Sequence, residues 1–416
     1  MDTNTQLLNK GYKPELSQGS VITPVFKSST FCFPTAEDGE KSFQIMQGKI
    51  QSDDDPSLVY SRMNNPNMEI TEEKLALFDK AEKSLLFSSG MAAISNTCLT
   101  FLEPGDTILY TNPVYGGTSA FFQNILKKYH INSVPFPCGL TDISILAELI
   151  MKHQNVKIIF IETPCNPHMI LTSIKMIHYL REGINKDILI AVDNTMAGPI
   201  FLKPLQLGAD LCLYSVTKFI GGHSDVVAGC VSGSKKLVNK IQGYRSTMGS
   251  ILDPESCWLI QRSLITLDLR MNKQYENTKI ILQSLENNKH ITKIYYPGYE
   301  LNKENKSIYT QKYILTNEYS GGSSVFSILI NCDKDNIFKI LNGVKLFKLA
   351  VSLGAVESLI QHPSSMTHSC MSDEDKQSSG IYDNLVRCSV GLENPYDLSE
   401  DLISTINKFC DSLKNK

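Results

Sequence analysis

Asp193 and the run Ser215-Val216-Thr217-Lys218 are the residues best placed to do chemistry. Each follows an apolar stretch: residues 188–192 lead into Asp193, and residues 211–214 lead into Ser215. Such stretches predict buried strands of a parallel sheet, and open α/β sheets bind ligands where their strands end. Two such strands would bring a carboxylate, a pair of hydroxyls and an amine to one place. An amine can bond to a carbonyl carbon, and a carboxylate can pair with a protonated ring nitrogen. The spacing alone fits equally a solvated lysine in a loop after a strand, because short motifs match by chance.

The elements that must position these residues alternate along the chain. Strands are predicted over 85–87, 107–111, 132–136, 157–162 and 226–231, and helices over 69–83, 91–102, 118–130, 143–153 and 173–183. Most of the strands are continuous apolar runs, the pattern of a parallel sheet covered on both faces. Polar or aromatic residues follow the strand ends repeatedly: Ser89, Tyr115, Asn166, Asp193 and Ser215. Around Ser89, Gly90 and Met91, a strand, a small-residue turn and a helix succeed one another. That order offers free backbone N–H groups and the positive end of a helix dipole to a phosphate. An ordinary tight turn has the same pattern, and the glycine spacing of a nucleotide-binding loop is missing. The recurrence at one sheet edge favours a site over a solvated loop. Pyridoxal phosphate answers to its parts, with an amine, a ring-nitrogen partner and a phosphate turn.

Residues 1–68 are expected to form an extended arm, with prolines at 14, 24, 34, 56 and 66 and no helical period. An arm without a core of its own must lie on something else, such as another subunit. It carries the acidic stretch Ser52-Asp53-Asp54-Asp55-Pro56, expected as a solvated loop, and ends near Tyr60-Ser61-Arg62. One long helix is predicted over 254–286. The composition then shifts toward Asn, Lys and Tyr through residue 319, which places a domain boundary near 287. Beyond it come a strand over 323–330, a helix over 335–342, a strand over 385–391 and a final helix over 397–413. That helix would bury Leu398, Leu402, Ile406 and Phe409 at helical spacing. Arg387 sits inside the apolar strand 385–391 and needs a partner. A ligand carboxylate would pair with it bidentately; a structural salt bridge is the other reading.

The chain has 416 residues, 42% apolar and 20% charged, enough for a packed core in more than one unit. A net charge of -3 gives no reason to expect nucleic acid or an anionic membrane as partner. Its 11 cysteines include no Cys-x-x-Cys pair, and most lie in apolar runs, as reduced thiols of an intracellular protein would. No apolar run approaches the roughly 18 residues of a membrane helix. The polar start of the chain does not resemble a signal peptide. A cytoplasmic location is expected.

Together, Ser215-Val216-Thr217-Lys218 with Gly221-Gly222-His223, Val192-Asp193-Asn194-Thr195, Tyr60-Ser61-Arg62, Ser89-Gly90-Met91, Tyr115-Gly116-Gly117-Thr118 and Arg387-Cys388-Ser389-Val390-Gly391 resemble the Cys/Met-metabolism family of pyridoxal phosphate enzymes. That family includes methionine γ-lyase, the cystathionine lyases, cystathionine γ-synthase and homoserine-ester sulfhydrylases. The resemblance spans about residues 20–410. It implies an α/β subunit of the fold-type I transferase class, with a mostly parallel seven-stranded sheet between helices. The arm would span 1–68, a large cofactor-binding domain 69–286, and a smaller C-terminal α+β domain 287–416. It also implies a homotetramer of two tight dimers, in which Tyr60 and Arg62 reach the phosphate of the neighbouring subunit's cofactor. Lys218 would carry the cofactor and move the α-proton, and Asp193 would hold the ring nitrogen. Tyr115 would stack on the ring and help the leaving group depart. The backbone at Gly90 and Met91, beside Ser89, and the hydroxyls of Ser215 and Thr217 would hold the phosphate. Asn166, Ser352 and Arg387 would hold the amino-acid substrate. His362 and His368 lack ligand spacing and are read as structural, with no metal expected.

Within the family, Val351-Ser352-Leu353-Gly354 and the run from Gln361 to His368 resemble methionine γ-lyases most. Members that use cystathionine often carry a glutamate where Val351 stands, and a valine suits a thioether better than a distal ammonium. Against this, Gly117 stands where methionine γ-lyases usually have cysteine, and Arg245-Ser246 where they have Lys-Asp. Gly117, Arg245 and Val351 are therefore the expected determinants of specificity. The expected activity is γ-cleavage of methionine or a related thioether, giving a 2-oxo acid, ammonia and a thiol. The alternatives are γ-replacement on an activated homoserine ester and cystathionine cleavage. A silent scaffold homologue would be expected to lack Lys218 or Asp193, and both are present.

Overall fold

A computed structural model describes residues 3–50, 57–153, 155–297, 306–369 and 371–411. Seven strands form the larger sheet: β1 (Lys83–Phe87), β2 (Thr107–Asn112), β3 (Asn132–Pro137), β4 (Val156–Glu162), β5 (Leu189–Asp193), β6 (Leu211–Ser215) and β7 (Gly229–Gly233). Their order is β1-β7-β6-β5-β4-β2-β3. Strands β6, β5, β4, β2 and β3 run parallel, while β7 is antiparallel to both its neighbours. The apolar runs follow from cover on both faces. Successive side chains of a strand point to opposite faces. Ile158 and Phe160 of β4 therefore join one buried cluster with Tyr110, Ala191 and Leu213, while Ile159 and Ile161 join another with Leu109, Ile190 and Val192.

The second sheet contains β8 (Ile291–Tyr295), β9 (Val325–Ile330), β10 (Lys348–Leu349), β11 (Leu359–Gln361) and β12 (Leu385–Ser389), in the order β10-β11-β12-β9-β8. The last helix, Pro395–Asp411, lays Leu398, Leu402, Ile406 and Cys410 on it at helical spacing. Phe409 is only partly buried beside that cluster. The stretch rich in Asn, Lys and Tyr is structured among its described residues. Its helix Lys306–Glu318 returns to the larger sheet, where Ile314 and Tyr319 join the core and Glu318 takes the Ile174 N–H at 2.9 Å.

Several sequence expectations are corrected. The arm is not wholly extended: α1 (Thr3–Asn9) and α2 (Ala36–Met46) lie within it. α1 is too short to show a period and is anchored by Leu7, which packs with Met68, Leu75 and Phe78. α2 is held by a cap, with the Thr35 side chain accepting from the Asp38 N–H. The acidic stretch 52–56 lies outside the described residues. The helix expected from 254 to 286 is two helices, Pro254–Leu264 and Leu267–Leu285. At the break, the Arg270 guanidinium donates to the Ser263 carbonyl at 3.0 Å and to the Phe219 carbonyl at 2.8 Å. Helix Lys235–Met248, between the Ser234 cap and the left-handed Gly249, was not anticipated.

Arg245 on that last helix is an interior residue. Its side chain is 0% exposed and meets Glu72 of α3 (Pro66–Asp79) at 2.5 Å. Nη1 also donates to the Leu86 carbonyl at 2.7 Å, and Glu72 accepts the Leu86 N–H at 2.8 Å. The guanidinium lies 5.7 Å from the centre of the Phe87 ring. This pair fastens α3 and helix Lys235–Met248 to β1, and removing one partner strands a buried charge. Glu72→Ala is expected to lower unfolding stability by about 3–5 kcal/mol, read as a fall in the urea midpoint. The double variant Glu72→Leu/Arg245→Leu should recover much of that loss.

Candidate active site

The parallel register sets Glu162, at the end of β4, opposite Asp193, at the end of β5. Both carboxyls are buried, and burial raises both above the ordinary carboxylate range; the neighbouring Asp193 charge raises Glu162 further. Each organises a loop. Glu162 accepts the Tyr115 N–H at 2.7 Å and the Asn166 N–H at 2.9 Å. Asp193 accepts at Oδ1 from the Thr195 N–H at 3.0 Å and hydroxyl at 2.6 Å, and the Thr195 hydroxyl accepts the Ser215 N–H at 2.7 Å. Among the described residues, Asp193 Oδ2 accepts no hydrogen bond, so one oxygen is left for a ring N–H.

Lys218 lies in the turn after β6, and its Nζ donates to Ser352 Oγ at 2.7 Å. Burial, and next the Arg387 charge, lower its amine to about 8, which favours the neutral, nucleophilic form. Ser352 has φ of 91°, a left-handed backbone uncommon for a residue with a side chain. Val351 beside it is 54% exposed.

Ser89 caps α4 (Gly90–Phe101), its hydroxyl accepting the Ala92 N–H at 3.0 Å. A Cβ at Gly90 would come within 2.9 Å of Ser215 Cβ, and one at Gly229 within 2.1 Å of the Ser89 carbonyl oxygen. Glycine at both positions lets the start of α4 press against the end of β6. Among the described residues, the Gly90 and Met91 N–H groups and the Ser215 hydroxyl have no hydrogen-bond partner. The Thr217 hydroxyl instead closes its own turn, donating to the Ala228 carbonyl at 3.1 Å. Free amides at a helix start, a buried lysine and a half-used aspartate fit pyridoxal phosphate.

Arg387 of β12 is 3% exposed, and its Nη1 donates to Asn166 Oδ1 at 2.8 Å and its Nη2 to the Ser352 carbonyl at 2.7 Å. The Gln361 amide oxygen, turned toward it, accepts from Nη2 at 2.9 Å. None of these partners is charged, and among the described residues no carboxylate forms an ion pair with it. Burial lowers the guanidinium to about 10. A buried cation held only by neutral groups calls for an anionic ligand.

The structure thus gathers Ser89–Met91, Tyr115, Asn166, Asp193, Ser215, Lys218, Ser352 and Arg387 at one sheet edge. Tyr60 and Arg62 do not join them: neither makes a hydrogen bond to that group, and Arg62 donates to the Ser246 carbonyl. Arg245 is turned into the core and does not face the site, because its Nη1 is paired with Glu72 and the Leu86 carbonyl. A Cβ on Gly117 would lie 2.6 Å from Tyr115 Cε1, so this glycine lets the tyrosine ring lie over it. His362 is engaged at both nitrogens, with Ser365 Oγ at 2.7 Å and the Asp383 carbonyl at 2.8 Å. Sequence reasoning missed Glu162, although an acid closing an apolar strand in step with Asp193 was a usable signal. It also missed Gln361 and Thr195.

Comparison with known proteins decides the family. Residues 4–407 match the family described as Cys/Met metabolism PLP-dependent enzyme. The chain belongs to this family. It is a pyridoxal phosphate-dependent enzyme of sulfur amino-acid metabolism with the fold-type I architecture. An L-methionine gamma-lyase from Fusobacterium nucleatum subsp. polymorphum is 36% identical over 394 residues, 94% of each chain. A cystathionine beta-lyase from Coxiella burnetii is 33% identical over 401 residues, covering 96% of each chain. The crystal structure of cystathionine gamma synthase from Xanthomonas oryzae pv. oryzae superposes with a TM-score of 0.88 at 29% identity, covering 99% of each chain.

The low basicity of Lys218 has a measurable consequence. Cofactor capture by the apoprotein needs the neutral amine, so its rate should rise with pH and level off above about 8. Stopped-flow absorbance after adding pyridoxal phosphate checks this. A rate still climbing steeply past pH 9.5, about a unit below the ordinary lysine range, would show that burial does not tune the amine.

Proposed function

We propose that this enzyme cleaves the Cγ–S bond of methionine or a related thioether amino acid, giving a 2-oxo acid, ammonia and a thiol. The observation that carries this reading is Arg387, buried with neutral partners beside Asn166 and close to the uncharged Val351 through Ser352. Arg387 and Asn166 would hold the α-carboxylate, which fixes the Cα–H bond relative to Lys218. Lys218 Nζ takes the α-proton, and Ser352 Oγ, 2.7 Å away, steers the amine between positions. Asp193 would hold the cofactor ring nitrogen, and the Gly90 and Met91 amides with Ser215 would hold its phosphate. Bound pyridoxal phosphate supplies the electron sink that stabilises charge at Cα and lets the γ-sulfur leave. Tyr115, anchored at its N–H by Glu162, would deliver the proton to the departing sulfur. Val351 leaves the distal end of the substrate without a charged partner, which suits a thioether.

A second reading, γ-replacement on an activated homoserine ester, is favoured by Gly117 and by the likeness to a cystathionine gamma synthase. The assay separates them. Purified holoenzyme given methionine without any thiol acceptor should release 2-oxobutyrate and a volatile thiol. No oxo acid from methionine, with turnover of O-acyl-homoserine only when a thiol is added, would reject the lyase in favour of the synthase. Arg387→Leu should cut kcat/KM by about a hundredfold or more, the cost of losing a buried charged hydrogen bond to the carboxylate. Lys218→Ala should remove both turnover and the visible cofactor absorbance.

We further propose that residues 1–68 form an arm that brings Tyr60 and Arg62 to the phosphate of a neighbouring subunit within a homotetramer. Tyr60 is exposed, and Arg62 stands over its ring at 5.8 Å and donates to the Ser246 carbonyl. Hybrids co-expressed from Arg62→Ala and Lys218→Ala chains should regain activity that neither homo-oligomer has, because one interface then pairs an intact lysine with an intact arginine. Hybrids with no recovered activity would place Arg62 in its own subunit's site.

A further inference from the structure

Cys138 and Cys165 stand at the same sheet edge and have no part in the chemistry above. Cys138 follows β3, and Cys165 follows β4 one residue before Asn166. Their sulfurs are 3.5 Å apart. Cys165 is buried and Cys138 partly exposed. Their loops are already knit together. The Cys138 N–H donates to the Asn112 carbonyl at 3.1 Å, the Cys165 N–H to the Ile170 carbonyl at 2.9 Å, and the Gly139 N–H to Thr172 Oγ1 at 2.9 Å. The two thiols therefore meet because the backbone holds them there. The neighbouring sulfur, and next burial, push the Cys165 thiol well above its ordinary range. The more exposed Cys138 is the sulfur a reagent meets first.

We propose that Cys138 and Cys165 form a modification site, where hydrogen peroxide closes an intramolecular disulfide that displaces Asn166 and weakens amino-acid binding. The Cys138 thiolate attacks a peroxide oxygen, the O–O bond breaks, and hydroxide leaves and is protonated to water, giving a sulfenic acid on Cys138. The Cys165 sulfur then attacks the Cys138 sulfur. The S–O bond breaks, and the departing hydroxide takes the Cys165 proton as water. Two thiols lose two hydrogens in all, and hydrogen peroxide becomes two waters. The bond shortens the 3.5 Å contact to about 2.05 Å, so the two sulfurs approach by about 1.5 Å and pull on the loops that carry them. Asn166, next to Cys165, accepts from Arg387 at 2.8 Å, so the pull reaches the carboxylate-binding pair.

The test treats the holoenzyme with hydrogen peroxide, alkylates free thiols, and maps peptides by mass spectrometry without reduction. A peptide cross-linked between Cys138 and Cys165 is expected, with an increase of about tenfold in the amino-acid KM that dithiothreitol reverses. Cys138→Ser should keep the reduced enzyme's activity and lose both the cross-link and the KM change. Cys165→Ser serves as a second variant with the same expected losses. Absence of the cross-link when other cysteines have oxidised overturns the proposal. So does a cross-link only between Cys332 and Cys410, another neighbouring pair, or a Cys138–Cys165 bond that leaves KM unchanged. The mass readout is independent of which substrate the enzyme uses, so its failure is distinguishable from failure of the lyase assignment.

Discussion

Two carboxyls side by side at the ends of adjacent parallel strands are the constraint on which this site rests. The register of β4 with β5 places Glu162 against Asp193, and the apolar cover of both sheet faces keeps water from screening them. Like charges that close in a buried setting oppose ionisation. Each acid is nonetheless held by donors that would be costly to lose: Thr195 for Asp193, and the Tyr115 and Asn166 amides for Glu162. The loops that carry Tyr115, Asn166 and Thr195 are thus shaped by the same pair. A protonated ring nitrogen held beside Asp193, as proposed, would supply the positive charge that this arrangement lacks.

The cations at the site are incomplete in the complementary sense. Lys218 is eased toward its neutral form by burial and by Arg387, and Arg387 itself has only amide and carbonyl partners. Isolated buried charge is expensive, so a protein retains it where a ligand offsets the cost. The unmet demands of Asp193 and of Arg387 differ in sign. A cofactor that brings a ring cation and a substrate that brings a carboxylate would satisfy both. Ser352 joins the two halves, since its hydroxyl receives Lys218 and its carbonyl receives Arg387. This double use gives a reason for a serine to tolerate φ of 91°.

Much of this was legible in the sequence because it is written in strands. Continuous apolar runs gave the parallel sheet, and polar residues at their ends gave Ser89, Tyr115, Asn166, Asp193, Ser215 and Lys218. What was illegible depends on packing at a distance. Arg245 was expected to face the substrate, and only the approach of Glu72 from α3 shows it turned inward. α1 has too few residues to show a period, and Leu7 counts as core only because Met68 and Phe78 lie beneath it. The break between helices Pro254–Leu264 and Leu267–Leu285 is bridged by Arg270, whose guanidinium donates to the Ser263 carbonyl of the first helix and to the Phe219 and Ile220 carbonyls in another part of the chain. Glu162 was a different case. It met the strand-end rule and was passed over because its role is to hold two backbone amides, which no side-chain motif records.

Gly117 shows why specificity resists the same reading. The family resemblance leads one to expect a cysteine there, and so makes the glycine look like evidence about substrate. In the fold, its absent Cβ is the space over which the Tyr115 ring lies, with Cε1 only 2.6 Å from where a Cβ would be and Met91 Sδ at 3.3 Å. Any side chain at 117 must first move the tyrosine. A residue that reorients the ring changes stacking and proton delivery together, whatever the substrate. Gly117 therefore tells more about where Tyr115 sits than about what binds. Arg245 is removed from the question by its burial, which leaves the half-exposed Val351, directly preceding Ser352, as the one of the three expected determinants whose side chain is free to meet a substrate.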